Sequence, residues 1–186
     1  TTPWTIPANK ALAYNKNLNY SVIQIADEGD FKDKKLVVAE KLINSVIKEC
    51  GIKEFKNILS FKGEKLKETI CLHPFFNIGY NYDIPMLEAE FVTTEQGTGI
   101  VHCAPSHGPD DFNLCLSNGI KAIETVDGDG KYTDNVALFN GTHIFKANPI
   151  VIEKLKEQKK LLCSGELIHS YPHSWRSKAP LVHRAT

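Results

Sequence analysis

Along two stretches of the chain apolar and polar residues alternate with a period of two, as in strands with one buried face. Tyr20 to Ile25 sets Ser21, Ile23 and Ile25 against Val22 and Gln24, and Met86 to Val92 sets Leu87, Ala89 and Phe91 against Glu88 and Glu90. Shorter apolar runs at Leu36 to Ala39, Asn57 to Phe61, Ile100 to Cys103 and Leu167 to Ser170 predict further strands, and Asp127-Gly-Asp-Gly130 between Val126 and Tyr132 predicts a tight turn. Helical spacing appears three times. Glu40 to Cys50 gathers Leu42, Ile43, Val46, Ile47 and Cys50 on one face, with Gly51 placed to cap it. Pro109 to Asn118 opens with a proline and two aspartates and closes at Gly119, and Pro149 to Lys160 carries its lysines late, where the helix dipole favours them. Many short strands, few helices and no regular strand-helix alternation predict a mainly β fold, a barrel or sandwich with peripheral helices.

Composition agrees with a folded domain. The chain has 186 residues, 42% hydrophobic and 24% charged, enough to bury roughly two-thirds of its unfolded surface in a single domain. No apolar run approaches the ~20 residues of a membrane span, so no membrane partner is expected. Five widely spaced cysteines with no C-x-x-C pair argue against a disulfide framework and against a zinc ribbon, and point to a reducing, cytoplasmic setting. The opening Thr-Thr-Pro-Trp-Thr has no initiator Met and no signal-peptide pattern, so the chain reads as an excised part of something longer.

Lys plus Arg number 22 and Asp plus Glu 22, which excludes a generally basic nucleic-acid binder. Charge is nonetheless uneven: no acidic residue precedes Asp27 or follows Glu166, while Lys10, Lys16, Arg176, Lys178 and Arg184 lie in those end segments. If the ends meet, they form a basic region suited to a phosphate backbone; otherwise they are ordinary solvated polar ends.

The densest chemical constellation is GTGIVHCAPSHGPDD at 97–111: a turn, a short strand, and a loop feeding a helix. His102, His107, Asp110 and Asp111 invite a metal reading, but the two histidines are five apart, flanked by prolines, and match no zinc spacing, so no metal is expected. Asp110 and Asp111 suit a helix N-terminus without any ligand. TTPWTIPAN at 1–9 places hydroxyls and an amide on a proline-stiffened segment, either as hydrogen-bonding groups for a polar substrate or as turn residues. Neither a catalytic triad nor a phosphate loop is present, so a hydrolase built here would use water.

TTPWTIPAN at 1–9, GTGIVHCAPSHGPDDF at 97–112 and HSYPHSWRSKAPLVHRAT at 169–186 together resemble the editing (CP1) insertion of class I isoleucyl-tRNA synthetases, in order and across the whole chain. The first two motifs are shared in looser form with the valyl and leucyl enzymes; the Ser-Tyr-Pro-His-x-Trp-Arg tail is similar to the isoleucyl form. The resemblance implies a β-barrel editing domain over 1–186, with ends 1–12 and 170–186 adjoining the parent catalytic domain. It implies hydrolysis of valine mischarged onto the 3′ acceptor end of tRNA(Ile), and implicates the domain in clearing valyl-adenylate. It also implies a monomer working in cis with the remainder of the synthetase. Asp111 would hold the substrate α-ammonium. Thr1, Thr2, Thr5 and Asn9 would line the pocket and, with Thr2 foremost, bond the ester, ribose or attacking water, and His102 would wall off the amino-acid side chain. Editing itself would need no cofactor: ATP serves the parent enzyme, and any zinc would lie outside this segment. The HIGH and KMSKS signatures of synthesis are absent, as are the extra Trp-Thr that usually precede Thr1 in the family, and Cys103 stands where Thr or Gln is common. Such a site meets a physical need for which this family is the usual illustration: one methylene is worth only about 1–3 kcal/mol, so a second, smaller sieve must hydrolyse the errors. The alternatives are a non-catalytic RNA-end binding module, or the same chemistry with valyl or leucyl identity.

Overall fold

The computed structural model describes residues 1–165, 175–176 and 181–184. The expected strand at Leu167 to Ser170 and most of the tail motif at 169–186 lie outside the described residues.

Among the described residues seven strands form two open sheets. β1 (Ala11–Tyr14), β5 (Ile70–Leu72), β6 (Asp83–Glu88) and β7 (Ile100–Cys103) make one, in the order β5-β6-β1-β7, with β1 parallel to β6 and antiparallel to β7. β2 (Asn19–Ile25), β3 (Lys35–Ala39) and β4 (Phe55–Lys62) make the other, antiparallel and ordered β3-β2-β4. The architecture is mainly β with peripheral helices, as the pattern predicts, although among the described residues the strands do not close into one barrel. No helix of the described residues is long and apolar enough to cross a membrane.

The helices are α1 (Ile43–Glu49), α2 (Pro109–Ser117) and α3 (Ile144–Glu157). α1 is preceded by a 3-10 turn at Glu40–Leu42 and buries Leu42 and Val46. α3 starts five residues before the expected Pro149, because His143 caps it by accepting the Phe145 N–H on its ring. Pro149 then costs only one bond, the one to Phe145, in an early and exposed turn. A second expectation shifts phase. β6 ends at Glu88, and the chain beyond it buries Val92 instead of Phe91, held by the Asn15 side-chain amide donating to Val92 O at 3.0 Å.

One cysteine pair corrects the all-thiol reading: Cys50, at the end of α1, is joined to Cys163, with Cα atoms 5.1 Å apart. Their separation of 113 residues leaves no local signature. Cys71, Cys103 and Cys115 are free.

The two sheets meet at the turn before β7. Ala39 N–H donates to Thr98 O (2.8 Å) and the buried Tyr20 hydroxyl to Gly99 O (2.7 Å). Gly99 has φ +75°, and a Cβ there would lie 2.4 Å from the Ala39 Cβ. Only glycine satisfies both the left-handed backbone and that close approach. This clamp delivers β7, and with it His102, to the edge of the first sheet.

Candidate functional site

The segment Pro3–Ala8 folds as a 3-10 turn with Pro3 at its start and Pro7 within it. Prolines forgo amide donors, so the remaining polar backbone must be satisfied from outside. Four side chains do this. Trp4 N–H donates to Asn148 Oδ1 on α3 (3.0 Å) and Trp4 O accepts from the Tyr132 hydroxyl. Ile6 O accepts from His73 Nε2 (3.1 Å) and Asn9 O from the Tyr82 hydroxyl (3.1 Å). His73 and Tyr82 come from the β5–β6 connection and Tyr132 and Asn148 from much later in the chain, and none was legible as a site residue in the sequence.

So held, the segment faces β7. Lys10 N–H donates to Cys103 O (3.0 Å), and the β1–β7 register sets Ala11 opposite Cys103 and Leu12 opposite His102. Asn9 Nδ2 donates both to Ala11 O (3.1 Å) and to His102 Nδ1. Because the amide donates to Nδ1, the ring proton sits on Nε2 and is donated to Thr5 Oγ1 (3.1 Å), whose own proton goes to Thr2 O (2.9 Å). Thr5, Asn9 and His102 are thus brought together in one directed chain, and burial pushes the His102 pKa down to about 3, leaving a neutral ring of fixed orientation.

Thr1 and Thr2 lie beyond this chain with exposed side chains, and the Thr2 hydroxyl makes no cap bond. Asp111 sits in the first turn of α2, half-buried, its Oδ2 accepting from Ala104 N–H (2.8 Å) just past the end of β7. It therefore braces the strand-to-helix loop and does not cap its own helix, where Gly108 is the N-cap without a side-chain bond. Burial raises its pKa above the usual carboxylate value, partly offset by the Ala104 amide. Asp110 is exposed.

His107 does not join His102 as a ligand. Its Nδ1–H donates to His183 O (3.1 Å), its Nε2 accepts from the Thr125 hydroxyl (2.8 Å), and the ring packs edge-on to Trp4 at 4.6 Å. The N- and C-terminal segments thus meet on one imidazole. Arg184 of that segment, however, is taken by Glu124 (3.0 Å) and Val126 O (3.1 Å). No group of three or more His, Cys, Asp or Glu gathers as a metal-binding cluster among the described residues.

Over its full length the chain is 79% identical to an isoleucine–tRNA ligase of Pelagibacter ubique (strain HTCC1062) and 43% identical to that of Gluconobacter oxydans (strain 621H). It spans 21% of each, about one-fifth of these relatives. No family model matches. Among solved structures, the crystal structure of GlLeuRS-CP1 superposes on 92% of the chain and 82% of its own, with a TM-score of 0.65 at 16% identity. The Plasmodium knowlesi cytosolic leucyl-tRNA synthetase editing domain covers 86% of this chain and 68% of its own, with a TM-score of 0.52 at 13% identity. At such identities the likeness is one of fold.

Proposed function

We infer, for a chain that belongs by sequence with a one-fifth segment of isoleucine–tRNA ligases and by fold with CP1 editing domains, that it is a proofreading hydrolase. It cleaves valine wrongly esterified to the 3′ end of tRNA(Ile), working in cis with the rest of a cytoplasmic synthetase. The observation that carries this reading is the Thr5–His102–Asn9 chain on β7, with Asp111 fixed to the Ala104 N–H just past the end of that strand.

Asp111 is a half-buried carboxylate whose charge one backbone amide relieves only in part. An α-ammonium on its free oxygen completes that relief with a charge-assisted bond. His102, neutral and locked by Thr5 and Asn9, is unfit as a base at neutral pH and fit as a wall. A fixed wall excludes by size, which is what rejection of isoleucine requires. Thr5 Oγ1 and Asn9 Nδ2 are engaged with that ring, so the exposed Thr1 and Thr2 remain to orient the ester and the water. Positioning, with a ribose hydroxyl assisting, supplies the rate.

A deacylation assay tests the reading: Val-tRNA(Ile) is hydrolysed by the chain and Ile-tRNA(Ile) is spared. Binding of both without cleavage would make the chain a non-catalytic RNA-end module, and a preference for a valyl- or leucyl-enzyme error would reassign its identity.

A further inference from the structure

Of the cations in the end segments, Lys16 pairs with Glu88 (2.8 Å) and Arg184 with Glu124 (3.0 Å). Lys10 differs. Its N–H donates to Cys103 O, the residue of β7 that stands opposite Ala11, which ties it to the start of β1. Its Nζ lies 3.7 Å from the centre of the Tyr82 ring, whose hydroxyl donates to Asn9 O. Asn9 in turn orients His102. The cation, its aromatic platform and the pocket wall are thus one connected unit. Lys10 is half-buried, and no carboxylate of the described residues forms an ion pair with it. Burial lowers its pKa, as expected of an ammonium that has left water without a counter-charge. An aromatic face steadies such a cation without neutralising it, so its free side remains an anion site.

We propose that Lys10, seated on Tyr82, is the phosphate contact of this site, holding an anionic phosphoryl oxygen of the substrate while the acyl ester lies against His102. The proposal rests on the hydrolase reading above and names how its substrate is anchored. Two substrates offer that oxygen next to an activated valyl group: the terminal nucleotide of a charged tRNA, an ester with its 5′ phosphate close by, and valyl-adenylate, a mixed anhydride whose phosphate carries the acyl group itself.

The test compares kcat/KM of the chain and of Lys10→Met and Lys10→Arg on Val-tRNA(Ile), on valyl-adenylate and on the valyl ester of adenosine, which has no phosphate. For Lys10→Met, the ratio of a phosphate-bearing substrate to the phosphate-free one falls about tenfold, the size of one charge-assisted contact, and Lys10→Arg restores it. A fall on the tRNA ester alone assigns the internucleotide phosphate, and a fall on the adenylate alone assigns the mixed anhydride. An unchanged ratio overturns the proposal, whether all three rates drop together or none does. If the unaltered chain cleaves none of the three, the hydrolase reading fails separately. Lys10 is then judged by binding of an acceptor-stem RNA: a salt slope reduced by about one unit in Lys10→Met supports the contact, and an unchanged slope refutes it.

Discussion

The ring of His102 has one hydrogen bond on each nitrogen and stays uncharged at neutral pH. His102→Ala is expected to keep hydrolysis of Val-tRNA(Ile) and to gain hydrolysis of Ile-tRNA(Ile). The shift in selectivity should be of the order of the roughly 1–3 kcal/mol that one methylene carries. Equal loss on both esters would make the residue catalytic or structural. Asp111 is judged differently, because it has a structural bond to Ala104 as well as a free oxygen. Asp111→Asn can still accept that amide, so a folded protein with hydrolysis lowered at least a hundredfold is expected, against about 1 kcal/mol of stability for losing a helix-end contact alone. A variant that melts earlier yet hydrolyses normally would return Asp111 to a bracing role, and Asp110→Ala, exposed, should change little.

At the scale of elements, β7 was legible to the residue, since Ile100 to Cys103 is a short apolar run closed by proline. β1 was not: Ala11, Ala13 and Tyr14 are all buried, so the strand shows no alternation to read. The start of α3 was obscured by Pro149, a helix breaker tolerated here because it falls early and exposed. Thr5, Asn9 and His102 could be singled out from their motifs, whereas His73, Tyr82, Tyr132 and Asn148 act through contacts 67 to 144 residues away in sequence, for which no local pattern exists. The clamp between the sheets yields its own prediction. Gly99→Ala forces a Cβ against Ala39 in a left-handed backbone and should cost on the order of 2–4 kcal/mol. Gly119→Ala, equally left-handed at φ +76° but facing open space, should cost about 1–2 kcal/mol. Thermal melts of the two variants check the difference, and equal shifts would mean the clamp carries no packing.

For the whole molecule, neutral buried histidines set an acid limit. Burial holds His73 at about 4 and His102 at about 3, below the value near 6.5 of an unfolded chain. The folded state therefore binds fewer protons than the unfolded one. Its stability is complete above about pH 6.5 and is lost as pH falls through the folded values. Melting temperature should be flat from pH 8 to 7 and decline steadily between pH 6 and 4. A flat profile down to pH 4.5 would show that these rings are open to water. The fall should be steeper than carboxylate titration alone gives, and His73→Gln should make it shallower.

The edge-on contact between Trp4 and His107 has an optical consequence. The described residues contain two indoles: Trp4 in the core, and Trp175, which is 81% exposed. Excited indole emits at shorter wavelength in an apolar site than in water, so the two signals separate by colour. An imidazolium accepts an electron from excited indole more readily than a neutral imidazole does. The blue component should therefore dim as His107 gains its proton, reporting by intensity alone the charge of the ring on which the two chain segments meet.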